Sequence, residues 1–98
     1  MLHISNIAVF NQQDKLLLCK RSNEPYKGLI DLVGGKAEPN EDGLVCAYRE
    51  LFEETGIASS EIVLHQLMEI SYCLSDVTVR VYFGRLTRAC LKKADIVK

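Results

Sequence analysis

A chain of 98 residues accommodates one small domain, and its formal net charge of −1 gives no general attraction to nucleic acid or to an acidic membrane surface. Apolar residues make up 48% of the sequence, enough for a hydrophobic core, but no apolar stretch approaches the roughly 18 residues of a membrane span. The 4 cysteines are widely separated and form no C-x-x-C pair, so neither a zinc site nor a disulfide framework is indicated. Because the N-terminal residues carry no secretory signal, we expect a cytoplasmic protein.

The first predicted elements are two strands joined by a polar turn. Residues 4–10 are rich in β-branched and aromatic side chains, residues 11–14 supply the turn, and residues 15–20 resume an apolar pattern. We expect these segments to form an antiparallel hairpin. Arg21 follows the hairpin, and two interpretations stay open: it contacts a phosphate or base of a ligand, or it is a solvated strand end.

A pair of glycines comes directly after the next predicted strand, residues 29–33. Gly34 and Gly35 permit positive φ and a close approach of the backbone to a ligand, so their carbonyls could face a metal ion. Lys36 follows at once and is well placed to neutralise a bound phosphate, although an exposed lysine needs no function.

The next residues predict a turn and then a helix with defined ends. Asn40 tolerates the left-handed conformation of a turn, and Asp42 is a suitable N-cap. The helix is predicted over residues 43–55, with Gly56 as its C′ residue. One side of this helix is expected to pack against the core through Leu44, Val45, Tyr48, Leu51 and Phe52.

Three carboxylates lie on the other side of the helix. Glu50, Glu53 and Glu54 are spaced i, i+3 and i+4, and like charges at these spacings destabilise a helix by about 0.2–0.5 kcal/mol per pair. A helix that tolerates this repulsion is expected to bind a cation, and carboxylate oxygens suit Mg²⁺, or Mn²⁺ in its place. The alternative is a solvated acidic face on which Arg49 pairs with Glu53.

The last part of the sequence predicts a second hairpin. Residues 62–72 form a long apolar strand, and residues 77–84 alternate apolar with other side chains, as in a half-buried strand. His3 and His65 are expected to be structural. We assign no element to residues 87–98.

The glycines and the acidic helix carry one longer pattern. Five residues separate Gly35 from Glu41, and seven more separate Glu41 from Arg49. The whole resembles the Nudix box, G-(five)-E-(seven)-R-E-U-x-E-E-x-G-U with U apolar, over residues 35–57. Every fixed position is filled, in order by Gly35, Glu41, Arg49, Glu50, Leu51, Glu53, Glu54, Gly56 and Ile57. Residues 30–35 resemble the usual W-D-L-P-G-G run, with Val33 in place of proline.

The resemblance to Nudix hydrolases implies a single domain over residues 1–98 of the α/β (α+β) class, an α/β/α sandwich around a mixed sheet. It implies Mg²⁺-dependent hydrolysis of a nucleoside diphosphate linked to another group. We expect a small nucleotide substrate, an ordinary or oxidised nucleoside triphosphate that yields a monophosphate and pyrophosphate, and neither a nucleic acid polymer nor a membrane as partner. Sugar nucleotides and dinucleotides stay open as substrates.

The resemblance also implies a role for each matching residue. Metal binding falls to Glu50, Glu53 and Glu54, together with a backbone carbonyl at Gly35. Arg49 orients the acidic cluster, and Glu41 and Gly34 support it. Lys36 matches the lysine that often follows the glycines, and we expect it to bind substrate. Arg21 is a substrate-binding candidate from its position after the hairpin, not from the resemblance. Either Glu53 or Glu54 accepts the proton of the attacking water; we prefer Glu53, although the pKa values of metal-bound carboxylates cannot decide between them.

The C-terminal part departs from the family pattern, which usually continues into another strand and a helix that supplies a further carboxylate. Asp95 is the only acid after Asp76. We therefore expect a sandwich shortened at its C-terminal end, and three explanations stay open: a truncated sequence, a missing layer supplied by a second subunit, or a reduced form of the family. A sheet face left uncovered in this way would be a sizeable apolar patch, so we expect a homodimer. The alternative functions are a non-catalytic module that binds a nucleotide or metal, and a protein-interaction domain with an acidic helix.

Overall fold

The structure is a computed structural model that describes residues 2–20 and 27–87; the predictions for Arg21 and for residues 88–98 lie outside this part of the chain. Its elements are, in chain order, β1 (Leu2–Phe10), β2 (Cys19–Lys20), β3 (Ile30–Asp31), β4 (Val33–Lys36), α1 (Gly43–Thr55), β5 (His65–Tyr72) and β6 (Val77–Arg85). Four strands form a mixed sheet in the order β4-β1-β6-β5, and β2 pairs with β3 in a separate two-stranded sheet. Helix α1 packs against β4 and β1. This mixed α/β arrangement confirms the predicted fold class.

The core lies between α1 and one face of the mixed sheet. Strand β1 alternates along its length, and Ser5, Ile7 and Val9 are its buried residues. Ile7 and Val9 pack with Val33 of β4 and Leu51 of α1. Burial of aliphatic side chains of this size stabilises a fold by about 1.5–3 kcal/mol each. The strand that leads into the glycines and the helix that carries the carboxylates are thus fixed to the same core.

The ends of α1 were predicted correctly because they depend on local signals. The Asp42 carboxylate accepts a hydrogen bond from the Leu44 backbone N–H at 3.0 Å. Gly56 has φ 78 and donates its backbone N–H to the Phe52 carbonyl at 2.8 Å. Asn40, with φ 64, adopts the left-handed conformation expected for the preceding turn. Within residues 2–20 and 27–87, no helix has the length and apolarity needed to cross a bilayer.

The predicted core face of α1 was confirmed for Leu51, which is buried, and for Tyr48, which packs against the core, but it was wrong for the other three residues. Val45 and Phe52 are each 57% exposed and Leu44 is 39% exposed. The buried residues are instead Cys46, Ala47, Leu51 and Thr55. Small side chains at two of these positions let the helix approach the sheet closely. The buried arc is therefore rotated by roughly 100° toward the carboxylates, at about 100° per residue, and the carboxylates border the sheet.

The predicted first hairpin exists only at its start. A single bridge joins Phe10 to Leu16, after which the chain leaves β1 and Cys19 pairs with Asp31 of β3. The physical reason is that both edges of β1 are already occupied, by β4 on one side and β6 on the other. The second hairpin, β5 with β6, is confirmed, with an irregularity between Gln66 and Met68.

The face of the sheet away from α1 is apolar and exposed in the part of the chain that the structure describes. The buried residues of β6 are Thr78, Tyr82 and Gly84, while the valines alternate onto the other face. Strand β5 extends that other face with Met68, Ile70 and Tyr72, which are 46%, 38% and 51% exposed. The described residues contain one helical layer, so the second layer implied by the family pattern is not seen among them.

Candidate active site

Arg49 joins the loop before α1 to the helix through a two-pronged contact with Glu41. Its Nε donates to Glu41 Oε2 at 2.7 Å, and its Nη2 donates to Glu41 Oε1 at 2.9 Å. The Arg49 side chain is 25% exposed and that of Glu41 only 11%. Hydrogen bonds from Arg49, and then one from the Glu38 backbone, lower the pKa of Glu41 to about 2. The pair is therefore charged at any pH at which the protein is expected to work.

The same guanidinium also reaches two of the predicted metal ligands. Arg49 Nη1 donates to Glu50 Oε2 at 2.8 Å and faces both carboxylate oxygens of Glu53 at 3.3 Å. Arg49 Nη2 donates in addition to the Lys36 carbonyl at 3.1 Å. The hydrogen bonds of Arg49 to Glu41 first, and then to Glu50 and Glu53, raise the pKa of Arg49, while burial opposes them. The structure thus brings together Glu41, Glu50 and Glu53 around one arginine, which is the arrangement that an orienting role requires.

Gly34 and Gly35 are required for close packing and not for an unusual backbone conformation. Neither glycine has positive φ, so of the two properties that glycine permits here the structure uses close approach. A Cβ atom at Gly35 would overlap the Glu50 carboxylate, and one at Gly34 would overlap the Ser5 carbonyl oxygen and the Asn6 side chain. Because Gly35 has no side chain, the Glu50 carboxylate can lie against strand β4.

Cys46 lies between the glycine strand and Arg49. Its side chain is fully buried, with Sγ 3.8 Å from the Gly35 carbonyl oxygen and 3.9 Å from Arg49 Nη2. Burial raises the pKa of the Cys46 thiol, so it stays neutral near pH 7. The thiol therefore helps to fix the one backbone carbonyl that the sequence singled out as a metal ligand.

Glu54 lies on the other side of Glu50, away from Arg49. Burial raises the pKa of Glu54 to about 7, and the hydrogen bond and negative charge of Glu50 act in the same direction, while the Gly34 backbone opposes them. A bound cation would reduce the repulsion between the Glu50 and Glu54 carboxylates.

The donor atoms fit a divalent cation such as Mg²⁺, although their present positions do not form a complete coordination sphere. Among residues 2–20 and 27–87, no three His, Cys, Asp or Glu side chains converge as metal ligands. The available donors are the carboxylates of Glu50, Glu53 and Glu54 and the Gly35 carbonyl, all hard oxygen atoms. Because Arg49 is anchored independently by Glu41, Glu50 and Glu53 can turn toward a cation without loss of the arginine's position.

An open cleft of about 680 Å³ begins beside Glu54. Gly35, Lys36 and Glu54 line one end, and Ile4 and Val79 contribute side chains from the exposed sheet face. The sequence prediction missed three polar residues of this cleft, which are Asn6, Lys20 and Asp31. Of these three, only Asp31 could have been noticed in the sequence, as an acid within an apolar predicted strand. Asn6 and Lys20 reach the cleft through tertiary packing. Arg21 lies outside the described residues.

Comparison with known proteins adds a family and several relatives. The family model described as NUDIX domain matches residues 2–87. The chain is 42% identical over 50 residues to a putative 8-oxo-dGTP diphosphatase of Bacillus subtilis, covering 51% of this chain and 32% of that protein. It is 41% identical over 49 residues to an ADP-ribose pyrophosphatase of Methanocaldococcus jannaschii, covering 50% of this chain and 29% of that protein. The matched part thus spans about a third of the curated relatives.

Solved structures show the same fold at low sequence identity. A MutT protein from Methanosarcina mazei superposes with a TM-score of 0.71 at 24% identity, covering 99% of this chain and 72% of that one. The NUDIX domain of Shewanella oneidensis NrtR, solved with ADP ribose, gives a TM-score of 0.76 at 22% identity and covers 97% of this chain and 66% of that one. These similarities establish the fold alone.

Proposed function

Because the chain belongs to the NUDIX domain family, we propose that it hydrolyses a diphosphate bond in a nucleoside-linked substrate with Mg²⁺, or Mn²⁺, as its cofactor. One observation carries the proposal. Arg49, anchored on Glu41, holds Glu50 against Gly35, and this group of residues adjoins a cleft lined by Glu54 and Lys36. We further propose that residues 1–98 act as one domain and that the protein works in the cytoplasm.

A nucleoside triphosphate, ordinary or oxidised, is the substrate we propose, cleaved to the monophosphate and pyrophosphate. The names of the two curated relatives point to different substrates, a nucleoside triphosphate and ADP-ribose. Two lysines, Lys20 and Lys36, line the cleft and would pair with a phosphate chain better than with a neutral sugar. A cleft of about 680 Å³ is within the ordinary range for a small-molecule site.

The residues have separate tasks in the proposed reaction. A divalent cation held by the carboxylates would offset diphosphate charge and lower the pKa of a bound water. Lys36 neutralises a further phosphate charge at the same end of the cleft, and Arg49 keeps Glu50 and Glu53 in place. Positioning and electrostatics of this kind account for most of the rate enhancement in phosphoryl transfer.

Glu54 is a better candidate than Glu53 for the residue that accepts the water's proton, which reverses the preference drawn from the sequence. Glu54 borders the cleft, and its pKa of about 7 lies near neutral pH. Glu53 is occupied by Arg49 and is not among the residues that line the cleft. A bound cation would lower the pKa of Glu54, so position carries this assignment more than base strength.

Product analysis by mass spectrometry tests the proposal. The protein is incubated with Mg²⁺ and a panel of nucleoside triphosphates, sugar nucleotides and dinucleotides, alongside Glu54→Gln and Glu53→Gln variants. We expect triphosphate cleavage by the wild type and a loss of about 100- to 1,000-fold for Glu54→Gln, larger than for Glu53→Gln. Glu69→Gln, which alters an exposed acid of β5, is the control and should retain activity. No cleavage of any panel member by folded wild type would refute the hydrolase.

A non-catalytic module that binds a nucleotide or a metal is the second candidate, because the cleft lined by Lys20 and Lys36 could hold a phosphate chain without turnover. It predicts thermal stabilisation by Mg²⁺ or by a nucleotide without turnover. The size of the shift follows RT ln(1 + [L]/Kd) for a ligand bound only by the folded state.

We also propose that the protein forms a homodimer through the exposed apolar sheet face. Met68, Ile70 and Tyr72 from β5 continue the valine row of β6 on that face. Contiguous apolar surface of this kind is typical of interaction sites. A second copy of the chain would cover the part of this face formed by β5 and leave open the cleft to which Ile4 and Val79 contribute.

A further inference from the structure

Ser5 is a buried polar residue of β1 whose side chain reaches the first residue of α1. It is 2% exposed, and its backbone pairs with Gly35 of β4. Its Oγ donates a hydrogen bond to the Gly43 carbonyl oxygen at 3.1 Å. The Cys46 thiol lies beside the same hydroxyl: burial raises the pKa of this thiol, and its hydrogen bond with Ser5 opposes the rise. Ser5 therefore joins the strand that pairs with the glycines to the N-terminus of the helix.

Gly43 is also closely packed against strand β6. A Cβ atom at this position would lie 2.7 Å from the Tyr82 hydroxyl oxygen and 3.2 Å from Arg80 Cδ. The helix can begin at this place because Gly43 has no side chain. Contacts with two strands, the hydrogen bond from Ser5 on β1 and the packing on β6, thus fix where α1 starts.

Two of the carboxylates lie on the same side of α1 as Gly43. At about 100° per residue, Gly43, Glu50 and Glu54 fall within a sector of roughly 40°. Glu50 lies against Gly35, where a Cβ atom would overlap its carboxylate. Glu54 accepts a hydrogen bond from the Gly34 backbone. A movement of the helix along its axis would therefore displace both carboxylates from the glycine strand.

The helix carries the position of its first residue to the carboxylates. Gly43 and Glu50 are seven residues apart, which is about 10 Å along the axis of an α-helix. Groups that orient metal ligands without touching the metal tune the affinity of a site. Resting on the proposed metal-dependent function, we propose that Ser5 is a positioning residue. By holding Gly43 it sets the position of α1 at which Glu50 and Glu54 can bind a divalent cation beside the glycine strand.

Titration with Mn²⁺ in the absence of substrate tests this role, with the free ion measured by electron paramagnetic resonance. Ser5→Ala removes the hydroxyl, and we expect the Kd for Mn²⁺ to rise about tenfold, as for loss of a group that orients metal ligands. Ser5→Thr keeps a hydroxyl at the same position and should restore most of the affinity. Affinity as low in Ser5→Thr as in Ser5→Ala would assign the effect to packing and would overturn the role of the hydroxyl.

Tyr48→Phe is the matched control, because it removes another hydroxyl that joins α1 to a neighbouring segment. The Tyr48 hydroxyl donates to the Ile62 carbonyl oxygen at 3.5 Å and accepts from the Leu64 backbone N–H at 2.9 Å. We expect Ser5→Ala and Tyr48→Phe each to lower the melting temperature by about 4–8 °C. Only Ser5→Ala should weaken Mn²⁺ binding. Equal weakening in both variants would reflect general destabilisation and would overturn the positioning role.

Mn²⁺ binding separates this inference from the hydrolase proposal because it needs no turnover. Weaker binding in Ser5→Ala, with wild-type affinity in Tyr48→Phe, supports the inference even if no nucleotide is cleaved. If the wild type hydrolyses a nucleotide and Ser5→Ala leaves both the Mn²⁺ Kd and the Mg²⁺ concentration for half-maximal kcat unchanged, the inference is overturned and the hydrolase stands. A folded wild type that binds no Mn²⁺ would refute the metal site and this inference with it.

Discussion

The carboxylate site on α1 and the exposed strand β5 are held in opposite ways. Around Arg49, side-chain hydrogen bonds and close backbone contacts fix each group, from Glu41 to Glu50 and Gly35. All eight residues of β5 are exposed, and the strand is held by its pairing with β6. A change at the first site should therefore alter chemistry, whereas a change at the second should alter the surface and leave the chemistry intact.

Replacement of Arg49 at the carboxylate site, and of Arg80, which lies on β6 and pairs with Glu69 of β5, should give the largest contrast. Arg49→Lys removes the fork that binds Glu41 on two atoms, and lysine cannot reproduce that planar geometry. We expect kcat/KM to fall by about 100- to 1,000-fold, since misplacement by about 1 Å costs about 100-fold. Arg80→Lys disturbs the contact of Arg80 with Glu69 near β5 and should change kcat/KM less than about twofold. Equal losses in the two variants would contradict the contrast.

Alanine in place of a glycine at the candidate active site, and in place of another glycine on β6, distinguishes packing that supports activity from packing that supports stability. Gly35→Ala places a Cβ against the Glu50 carboxylate and should lower kcat/KM by about 100-fold. Gly84→Ala places a Cβ within 2.6 Å of the Val63 carbonyl oxygen, and should lower the free energy of unfolding by about 1–3 kcal/mol with little change in kcat. Denaturant unfolding and steady-state kinetics measure both quantities. Normal kcat in folded Gly35→Ala would show that Glu50 need not lie against β4.

The pH dependence of metal-free stability should reveal the opposite pKa shifts of two glutamates. Glu41 has its pKa lowered from 4.5 to about 2, so the stability it contributes is lost as the pH falls through that range. Glu54 has its pKa raised from 4.5 to about 7, so its contribution is present at low pH and is lost as the pH rises toward 7. In EDTA, we expect the melting temperature to be highest near pH 4.5–5.

Added Mg²⁺ should stabilise the protein more at pH 8 than at pH 5, because the Glu54 carboxyl must lose its proton to bind a cation. Thermal unfolding with and without Mg²⁺ at both pH values provides the measurement. Glu54→Gln is the matched control and should reduce the difference between the two pH values. An equal effect of Mg²⁺ at pH 5 and pH 8 in the wild type would exclude Glu54 as a ligand.

The smallest effect on chemistry is expected at Ile70 on the exposed sheet face. Ile70→Lys places a charge on this face and should shift a dimer to monomer while kcat per chain changes less than about twofold. Phe52→Lys is the control, since Phe52 is exposed on the outer side of α1 and should leave the mass unchanged. Light scattering after size exclusion distinguishes the states. A wild type that is monomeric at all concentrations would refute the homodimer.

The sequence predicted features that depend on neighbours along the chain. The helix limits followed from Asp42 and Gly56, whose capping hydrogen bonds involve residues within four positions. The acidic face followed from the i, i+3 and i+4 spacing. The β5–β6 hairpin followed from two strand patterns flanking a short turn.

Features set by distant contacts were predicted poorly. The helix buries Cys46 and Ala47 in place of Val45 and Phe52, because close approach to the glycine strand favours small side chains over more apolar ones. Strand β2 does not pair with β1 as predicted, because the two edges of β1 pair with β4 and β6. The cleft residues Lys20 and Asn6 had no recognisable pattern, since β1 and β2 meet the cleft only in the folded chain.

The parallel pairing of β1 with β6 has a consequence for biosynthesis. Leu2 pairs with Val77 and Phe10 with Arg85, so during synthesis β1 waits for β6 before the sheet is complete. Contacts of such sequence separation slow folding and leave apolar residues exposed in the interval. Ile7 and Val9, buried in the finished protein, are then exposed on the nascent chain, where a chaperone would bind them.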